Sequence, residues 1–321
     1  MDYSKLNDII KSSKNILIIS HVNPDGDTLG SMCGLYSAIL ENYKKRCDML
    51  AISKIPDVYS YLPHLSDVKH LDDVDKSREY DLVINVDVAS IDRICDAKIL
   101  FDKAKFNVNI DHHKTNNAYG KLNFINPGAS STGEVLFECF SRMGWKVNLN
   151  TAVCIYTAIL TDTGSFRFDN TKPSTFETAS KLVEIGVNPS DIYKKVYESD
   201  SKTLVMFQAH CISKAKFLND DKIAYTLVYK KDMEKFGAGD DCMEGLTEKL
   251  RAIVTTRIAF VAKEMKSGGT KISMRSKFAD VAEICGIFGG GGHKYAAGCT
   301  IKAPVEDAAR KILEEIKKHE I

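Results

Sequence analysis

The chain has 321 residues, of which 44% are hydrophobic and 27% are charged, and this is enough for about two globular domains of ordinary composition. These proportions exclude an intrinsically disordered chain, a collagen and a small disulfide scaffold. The net charge of +1 gives no strong field for steering a long polyanion, so local geometry must hold any phosphate that binds.

The cysteines and the apolar runs bear on whether the protein is secreted, membrane-bound or cytoplasmic. Nine cysteines form no CxxC pair and no short Cys/His cluster, which disfavours zinc ribbons and redox dithiols and favours reduced, buried thiols. Segment 1–15 lacks the apolar core of a signal peptide, and no apolar run approaches the roughly 18 to 20 residues of a membrane span. We therefore expect a soluble, cytoplasmic protein with no membrane partner.

Short apolar runs alternate with helical stretches in the first half of the chain. Residues 15–20 (NILIIS) predict a strand that ends in the loop HVNPDGD, and residues 28–45 predict the helix that follows. Three more apolar runs, which lead into Asp87, Asp111 and the segment TDTGSF, lie at 81–86, 106–110 and 152–160. This alternation predicts an α/β domain over residues 1–188, with a mainly parallel sheet and flanking helices.

The pattern changes after the segment GVNP at 186–189, which ends a helix that begins near Ser174. Residues 189–210 are predicted to be a polar, helical linker. Residues 211–321 predict a smaller C-terminal α/β domain, with strands at 223–229, 258–265 and 271–274 and helices at 241–253, 279–287 and 305–319. We expect the functional site in the cleft between the two domains.

Acidic and histidine side chains follow the apolar runs of the first domain. Ligands of parallel α/β sheets bind beyond the carboxyl ends of the strands, so we expect one crevice to collect His21, Asp25, Asp27, Asp87, Asp111, His112, His113 and Asp162. Five carboxylates in a small volume need cations to neutralise them. Oxygen and imidazole ligands without a thiolate favour manganese or magnesium, with iron or cobalt as alternatives, over structural zinc. A metal pair needs a bridging carboxylate, for which Asp87 is well placed.

Each of these features also has an ordinary structural explanation. The segment Asp25-Gly26-Asp27 could be a turn and a helix N-cap, Asp87 could cap a strand end, and His112-His113 could be a surface pair. Their occurrence together after successive runs favours the metal site. The segment Ser130-Ser131-Thr132, with Glu134 at capping-box spacing, predicts the start of a helix. Arg93 could contact a phosphate or be solvated.

The C-terminal domain carries residues that suit an anion. A run of four glycines can adopt backbone conformations closed to other residues and direct N–H groups at a phosphate, and it comprises Gly289, Gly290, Gly291 and Gly292. His293 follows this run. Arg275, which Ser276 follows, stands at the end of a predicted strand and can bind a second phosphate bidentately. A flexible loop and a surface arginine are the alternatives, and the small residues at 296–298 favour a packed turn instead.

Four motifs in this order, HVNPDGD, DHH at 111–113, TDTGSF at 161–166 and GGGGHKYAAG at 289–298, resemble the DHH phosphoesterase family. The resemblance is to the branch with a DHH-associated C-terminal domain, and within it to the stand-alone nanoRNases, which are bifunctional oligoribonucleases and pAp phosphatases. It covers nearly the whole chain.

The resemblance implies specific roles for these residues. One metal ion is expected on His21, Asp25 and Asp87. A second is expected on Asp27, Asp87, His112 and Asp162, so that Asp87 bridges the two. Asp111 is expected to orient the neighbouring histidine, and His113 to contact the phosphate or assist the leaving oxygen. The family commonly uses Mn²⁺, with Mg²⁺ or Co²⁺ as alternatives, and it supports Arg275 and His293 as substrate-binding positions.

The expected activity follows from a metal pair, which can supply hydroxide from water and absorb charge on the phosphate without a protein nucleophile. Ser165 lies outside any GxSxG elbow and is expected to be a loop hydroxyl. The resemblance implies an enzyme, often dimeric in its family, that hydrolyses short oligoribonucleotides (nanoRNA) to mononucleotides and removes the 3'-phosphate of pAp.

Two alternatives remain. One is a phosphodiesterase for cyclic di-AMP or for pApA, which the sequence does not separate from the first interpretation. The other is a nucleotide-binding sensor without turnover, which the unbroken ligand set disfavours. The sequence leaves open the direction of degradation, the choice between RNA and DNA, and the oligomeric state.

Overall fold

A computed structural model describes residues 1–319. The chain divides into two compact units, of which the first spans Met1–Ser199 and the second begins at Asp200. This division falls inside the predicted linker, residues 189–210, which is helical on both sides of it. Across residues 1–319, none of the helices combines the length and the apolar character that crossing a bilayer requires.

The first unit contains a six-stranded parallel sheet, which confirms the predicted mainly parallel sheet, although β2, β3 and β6 were not predicted. Its strands are β1 (Ile16–Ile19), β2 (Asp48–Ala51), β3 (Val68–His70), β4 (Leu82–Val86), β5 (Phe106–Asp111) and β6 (Leu122–Ile125). Every residue of β1 and β4 is buried, which explains why these strands read as continuous apolar runs. The strand order is β3-β2-β1-β4-β5-β6, so the direction of winding reverses between β1 and β4. Ligand sites of such sheets lie at this switch point.

Seven helices accompany this sheet: α1 (Tyr3–Ser12), α2 (Gly26–Tyr43), α3 (Lys98–Lys103), α4 (Thr132–Met143), α5 (Leu149–Asp162), α6 (Pro173–Ile185) and α7 (Pro189–Tyr197). Short 3₁₀ helices lie at Asp57–Tyr59, Leu65–Asp67, Leu71–Asp73 and Ile91–Ala97. One hydrophobic core joins α1, α2, α4 and α5 to the sheet, and a second core includes α3. Helix α6 ends at Gly186, whose φ of 118° is in the region that favours glycine.

The apolar run at 152–160 corrects one prediction. It was expected to be a strand like the runs before Asp87 and Asp111, but it belongs to helix α5. Helix α5 packs against α2, α4 and α6, and nearly all of its middle residues are buried. A helix that is buried on several sides has no polar stripe, so its sequence cannot be distinguished from that of a buried strand by periodicity. Asp162 therefore stands at a helix end.

Helices α2 and α5 pack closely along a row of glycines on α2. Gly26, Gly30 and Gly34 recur at intervals of four residues and therefore share one face of the helix. A Cβ atom on Gly30 would stand 2.5 Å from the Cys154 carbonyl oxygen, and one on Gly26 would stand 2.5 Å from the Thr161 side chain. The row lets α2, which begins beside Asp27, approach α5, which ends at Asp162.

The second unit contains a mixed six-stranded sheet of order β11-β12-β10-β9-β8-β7, in which β8 and β9 are parallel and the other pairs are antiparallel. Its strands are β7 (Lys216–Leu218), β8 (Ile223–Val228), β9 (Ile258–Glu264), β10 (Thr270–Ser276), β11 (Gly291–His293) and β12 (Ala296–Ile301). Its helices are α8 (Lys202–Ser213), α9 (Lys230–Phe236), α10 (Leu246–Arg251), α11 (Val281–Ile287) and α12 (Val305–Ile316).

Three of these strands escaped prediction, and one helix is shorter than predicted. Strands β7 and β11 have only three residues each, and β12 is rich in alanine and glycine, so none shows a strong strand pattern. The helix expected at 241–253 is a 3₁₀ helix, Asp240–Met243, followed by α10. Gly245, with a φ of 75°, separates the two.

Candidate active site

The predicted cluster forms where β1, β4 and β5 end, at the switch point of the first sheet. His21 follows β1, Asp87 follows β4, and Asp111 is the last residue of β5. Helix α2 adds Asp25 as its N-cap and Asp27 in its first turn, and α5 adds Asp162 as its last residue. Three strand ends and two helix termini therefore converge on one place.

The first group of ligand atoms comprises His21, Asp25 and Asp87. The Nε2 atom of His21 lies 3.3 Å from Asp87 Oδ2 and 3.8 Å from Asp25 Oδ1. The three residues can each offer an atom within 4.8 Å of the other two. His21 Nδ1 lies 2.8 Å from the Val22 carbonyl oxygen, and this contact leaves Nε2 facing the carboxylates.

The second group comprises Asp27, His112 and Asp162. The Nε2 atom of His112 lies 3.7 Å from Asp27 Oδ2, 3.6 Å from Asp162 Oδ2 and 3.7 Å from Asp87 Oδ1. Asp27, His112 and Asp162 again offer atoms within 4.8 Å of one another. The structure thus brings together all the residues that the family resemblance implies for the second ion.

Asp87 lies between the two groups. Its Oδ2 atom is near His21 and its Oδ1 atom is near His112, so the two carboxylate oxygens face different groups. The residue adopts a left-handed backbone conformation with a φ of 61°, which aspartate tolerates better than most residues. An unusual conformation at such a position is typical of a functional site.

Helix α4 contributes contacts that the sequence analysis missed. The backbone N–H groups of Thr132 and Gly133 donate to the two carboxylate oxygens of Asp27, at 2.7 and 3.0 Å. The Thr132 hydroxyl donates to Asp87 Oδ1 at 3.0 Å. The sequence predicted this segment only as a helix start, and Ser131 is indeed its N-cap. The available signal was a helix N-terminus with polar residues, which suits a carboxylate.

The carboxylates of the cluster form no ion pairs with lysine or arginine side chains in the part of the chain that the structure describes. Asp27 and Asp87 are each only 2% exposed. Burial raises the pKa of Asp27 well above its usual value, and the pKa of Asp162 rises to about 6 for the same reason, with further contributions from neighbouring carboxylates. Among residues 1–319, no lysine or arginine side chain forms an ion pair with the five aspartates of the cluster. These donors fit divalent metal ions, which would neutralise them.

Asp111 and His113 form a pair beside the cluster. Asp111 Oδ1 accepts hydrogen bonds from His113 Nδ1 at 2.7 Å and from the His112 backbone N–H at 2.8 Å. The hydrogen bond that His113 donates to Asp111 raises the pKa of His113 to about 9, although burial opposes this shift. His113 is partly exposed, whereas Asp111 is fully buried and also accepts from Asn116. This geometry suits the predicted roles, with Asp111 behind and His113 facing outward.

Arg93 contacts the cluster from the side of His21. Its Nη2 atom lies 3.1 Å from His21 Nδ1 and 3.4 Å from the Val22 carbonyl oxygen. The sequence left open whether Arg93 contacts a phosphate or is solvated. Its contact with His21, a candidate metal ligand, corresponds to neither interpretation.

In the second unit, Arg275 and His293 share one face of the sheet. Arg275 is paired with Ala296 of β12, and Ala296 is paired with His293 of β11, so the three side chains project from the same face. Two strand spacings, about 10 Å, separate Arg275 from His293, and only the small Ala296 lies between them. Arg275 Nε donates to Glu248 Oε1 at 2.7 Å, so a carboxylate already holds part of the guanidinium.

The four glycines and Ser276 have structural contacts of their own. The N–H groups of Gly289 and Gly290 donate to the carbonyl oxygens of Gly286 and Cys285 at the end of α11. They are therefore not free to bind a phosphate. The remaining residues, Gly291, Gly292 and His293, form the edge strand β11, in which alternate N–H groups pair with β12 and the others point away from it. A Cβ atom on Gly290 would collide with the Gly298 carbonyl oxygen and Cys299, so close packing requires this glycine.

Ser276 is buried, and its hydroxyl oxygen accepts hydrogen bonds from the N–H groups of Phe278 and Ala279. The serine thus shapes the turn after β10.

Comparison with known proteins agrees with this geometry. Residues 15–159 match the DHH family, N-terminal domain, and residues 220–319 match the DHHA1 domain. The chain is 31% identical over 313 residues to the bifunctional oligoribonuclease and PAP phosphatase NrnA of Bacillus subtilis (strain 168), with 95% of this chain and 96% of the relative covered. The chain belongs to the DHH family.

Other similarities are structural or partial. The crystal structure of an exopolyphosphatase-related protein from Bacteroides fragilis superposes with a TM-score of 0.91 at 26% identity, covering 98% of this chain and 95% of that one. The cyclic-di-AMP phosphodiesterase GdpP of Geobacillus thermodenitrificans (strain NG80-2) is 25% identical over 97% of this chain, which spans only 48% of that protein. As a DHH family member, this chain is a phosphoesterase with two domains of known type.

Proposed function

We propose that this protein is a metal-dependent phosphoesterase that hydrolyses short oligoribonucleotides to mononucleotides and removes the 3'-phosphate of pAp. The observation that carries the proposal is the convergence of His21, Asp25, Asp87, Asp27, His112 and Asp162, with Asp87 between the two groups. Nearly full-length similarity to a bifunctional oligoribonuclease and PAP phosphatase supports this substrate class.

Two divalent ions, with Mn²⁺ as the proposed metal, would be held by this cluster. His21, Asp25 and Asp87 would hold one ion, and Asp27, Asp87, His112 and Asp162 the other. When bound, such ions lower the pKa of water and neutralise negative charge on a phosphate.

The protein's own residues would orient these ligands and the substrate. Thr132 and Gly133 fix the Asp27 carboxylate, and Asp111 fixes the ring of His113. Because Asp111 favours the protonated form of His113, this side chain can donate a hydrogen bond to a phosphate oxygen or to the leaving oxygen.

In the second unit, two side chains are proposed to bind a phosphate that does not react. Arg275 and His293 project from one face of the sheet, and both suit a terminal phosphate. Arg275 donates from Nε to Glu248 and from Nη1 to the Met274 carbonyl oxygen, so a phosphate would be bound by the remaining N–H groups of the guanidinium. Contacts to a remote phosphate let binding energy act at the reacting centre, and substrates without it should react slowly.

One experiment tests the proposed function directly. Purified protein with Mn²⁺ is offered pAp, di- to pentaribonucleotides, cyclic di-AMP, pApA and pyrophosphate, and initial rates are compared. We expect pAp and the dinucleotides to react fastest. A clear preference for cyclic di-AMP would instead support the alternative phosphodiesterase, and tight binding without product release would support the nucleotide sensor.

A matched pair of variants links the activity to the cluster. Asn at position 87 tolerates the left-handed backbone but removes the charge, so Asp87→Asn should lower kcat at least about 100-fold with every substrate. Asp169→Asn removes an exposed charge from the loop after Asp162 and should leave the rates within about twofold. Near-normal rates in Asp87→Asn would contradict the bridging role.

A further inference from the structure

An exposed apolar patch lies beyond the end of β10 and is not used by the proposed phosphate contacts. It comprises Val254, Phe278 and Tyr295, whose exposed fractions are 93%, 66% and 46%, and we call it the aromatic patch. Single exposed apolar residues are ordinary on a protein surface, but several that are held near one another mark a binding surface.

Backbone and side-chain hydrogen bonds fix this patch. The Ser276 hydroxyl oxygen accepts from the N–H groups of Phe278 and Ala279, at 3.0 and 2.8 Å. The Ser276 N–H donates to the Tyr295 carbonyl oxygen at 3.0 Å. Ser276 therefore connects the segment that carries Phe278 to the hairpin turn that carries Tyr295, and the aromatic side chains are displayed by an ordered turn.

Cationic side chains surround the patch. The Arg257 guanidinium lies 5.4 Å from the centre of the Phe278 ring, and the Lys294 amino group lies 5.5 Å from that of Tyr295. The Lys277 amino group donates to the carbonyl oxygens of Ile253 and Val254, which holds the third segment of the patch beside the other two. Apolar rings among cations fit a ligand that has flat apolar faces and negative charge.

The patch also adjoins the proposed phosphate contacts. Phe278 is three residues after Arg275, and Tyr295 lies between His293 and Ala296 in the hairpin of β11 and β12. A nucleotide whose phosphate is bound by Arg275 or His293 would therefore have its base within reach of the patch. Proteins that bind single-stranded nucleic acids combine such aromatic surfaces with cationic side chains.

We propose that Phe278 stacks on a nucleobase of the bound oligonucleotide, with Tyr295 as the adjoining surface and Ser276 as the residue that positions both. The inference rests on the proposed function, because the occupant is the base of that substrate. Stacking on a ring tolerates any base, so this subsite would favour nucleotides over other phosphate esters without selecting a sequence.

The test separates stacking from catalysis. A 5'-phosphorylated dinucleotide of 2-aminopurine, whose fluorescence falls when the base stacks, is titrated into the Asp87→Asn protein and into the same protein with Phe278→Ala. Base stacking on an aromatic side chain is worth about 1 to 3 kcal/mol, so Phe278→Ala should weaken binding about tenfold and remove most of the quenching. Phe278→Trp should retain both.

Two controls make the result specific. Phe217→Ala removes an equally large, exposed ring from β7, at the opposite edge of the same sheet, and should change neither affinity nor quenching. A dinucleotide that lacks both bases should bind the proteins with and without Phe278→Ala equally.

Three outcomes would overturn the inference: unchanged quenching in Phe278→Ala, an equal loss of affinity for the dinucleotide without bases, or a change from dimer to monomer in sedimentation. The last would assign the patch to a second copy of the chain. Absence of hydrolysis by the unmodified protein with Mn²⁺ would refute the proposed function, but the fluorescence titration would still decide whether Phe278 stacks on a base.

Discussion

At the scale of single residues, Thr132 shows how one position serves two ligands. Its backbone N–H donates to Asp27 and its hydroxyl donates to Asp87, and the residue is fully buried. Hydrogen bonds of this kind orient carboxylates before a metal ion binds. The threonine therefore adds to the preorganisation of both groups of the cluster without itself being a ligand.

Replacing Thr132 by valine should test this contribution. Thr132→Val keeps the shape of the side chain and the backbone N–H, but it removes the donor to Asp87. We expect the affinity for Mn²⁺ to fall about tenfold or more, because loss of an outer hydrogen bond typically costs 10- to 100-fold. Isothermal titration with Mn²⁺ measures this change directly.

Thr226→Val is the matched control for that experiment. Thr226 is also buried, and its hydroxyl donates to the Cys211 carbonyl oxygen in the other unit. This variant should lose stability, since a buried carbonyl loses its partner, but it should bind Mn²⁺ like the unmodified protein. Equal Mn²⁺ affinities in Thr132→Val and the unmodified protein would show that the hydroxyl does not support the site.

At the scale of elements, the packing of α2 on α5 decides where two aspartates meet. Asp27 is in the first turn of α2 and Asp162 is the last residue of α5, and the glycine row of α2 sets the distance between these helices. The packing of α2 on α5 and the meeting of Asp27 with Asp162 thus depend on the same contact between the two helices. In the sequence, the signal for this contact was the spacing of Gly30 and Gly34 in the predicted helix, with Gly26 four residues before Gly30.

Gly30→Ala should damage both packing and metal binding. The new methyl group would stand 2.5 Å from the Cys154 carbonyl oxygen, which is backbone and cannot rotate away. Overpacking of this kind costs about 1 to 3 kcal/mol, so we expect that loss in the free energy of unfolding and a weaker affinity for Mn²⁺. Urea denaturation and Mn²⁺ titration are the two measurements.

Gly286→Ala provides the comparison, because a Cβ atom at this helical glycine of α11 would meet nothing within 4 Å. Alanine is the better helix former, so this variant should be as stable as the unmodified protein or up to about 1 kcal/mol more stable. If both glycine variants behaved alike, the close approach of α2 and α5 would not be the cause.

At the scale of the whole molecule, each of the two units has its own hydrophobic cores. Two core clusters lie within Met1–Ser199, and two others lie within the unit that begins at Asp200. The candidate metal ligands all belong to the first unit. Binding to one unit stabilises the unit that binds, so metal ions should affect the two units differently.

Removal of divalent metal should therefore lower one unfolding transition selectively. We expect calorimetry of the metal-free protein to show two transitions, of which Mn²⁺ raises only the one that belongs to the first unit. Asp87→Asn should abolish that increase. A single transition that shifts as a whole with Mn²⁺ would contradict independent unfolding of the units.

Much of the fold was predictable from local patterns. Strands β1, β4 and β5 were predicted because buried parallel strands are continuous apolar runs, and α2 was predicted from its helical periodicity. That α5 is a helix and not a strand was not predictable, because a helix that is buried on several sides lacks the polar stripe that marks the helical period. Short strands such as β11 carry too few residues for any pattern.

The sequence by itself indicated the candidate cluster at His21, Asp87 and Asp111, since acidic residues and histidines that follow buried parallel strands meet where those strands end. Asp162 reaches the same place from the end of helix α5, which the sequence pattern did not distinguish from a strand. Only the tertiary structure decided which atoms face each other, that α4 donates to Asp27 and Asp87, and that Gly289 and Gly290 are engaged by α11. Residue types and their local spacing can be read directly from the sequence. Contacts between segments that are distant along the chain depend on packing, which no local pattern encodes.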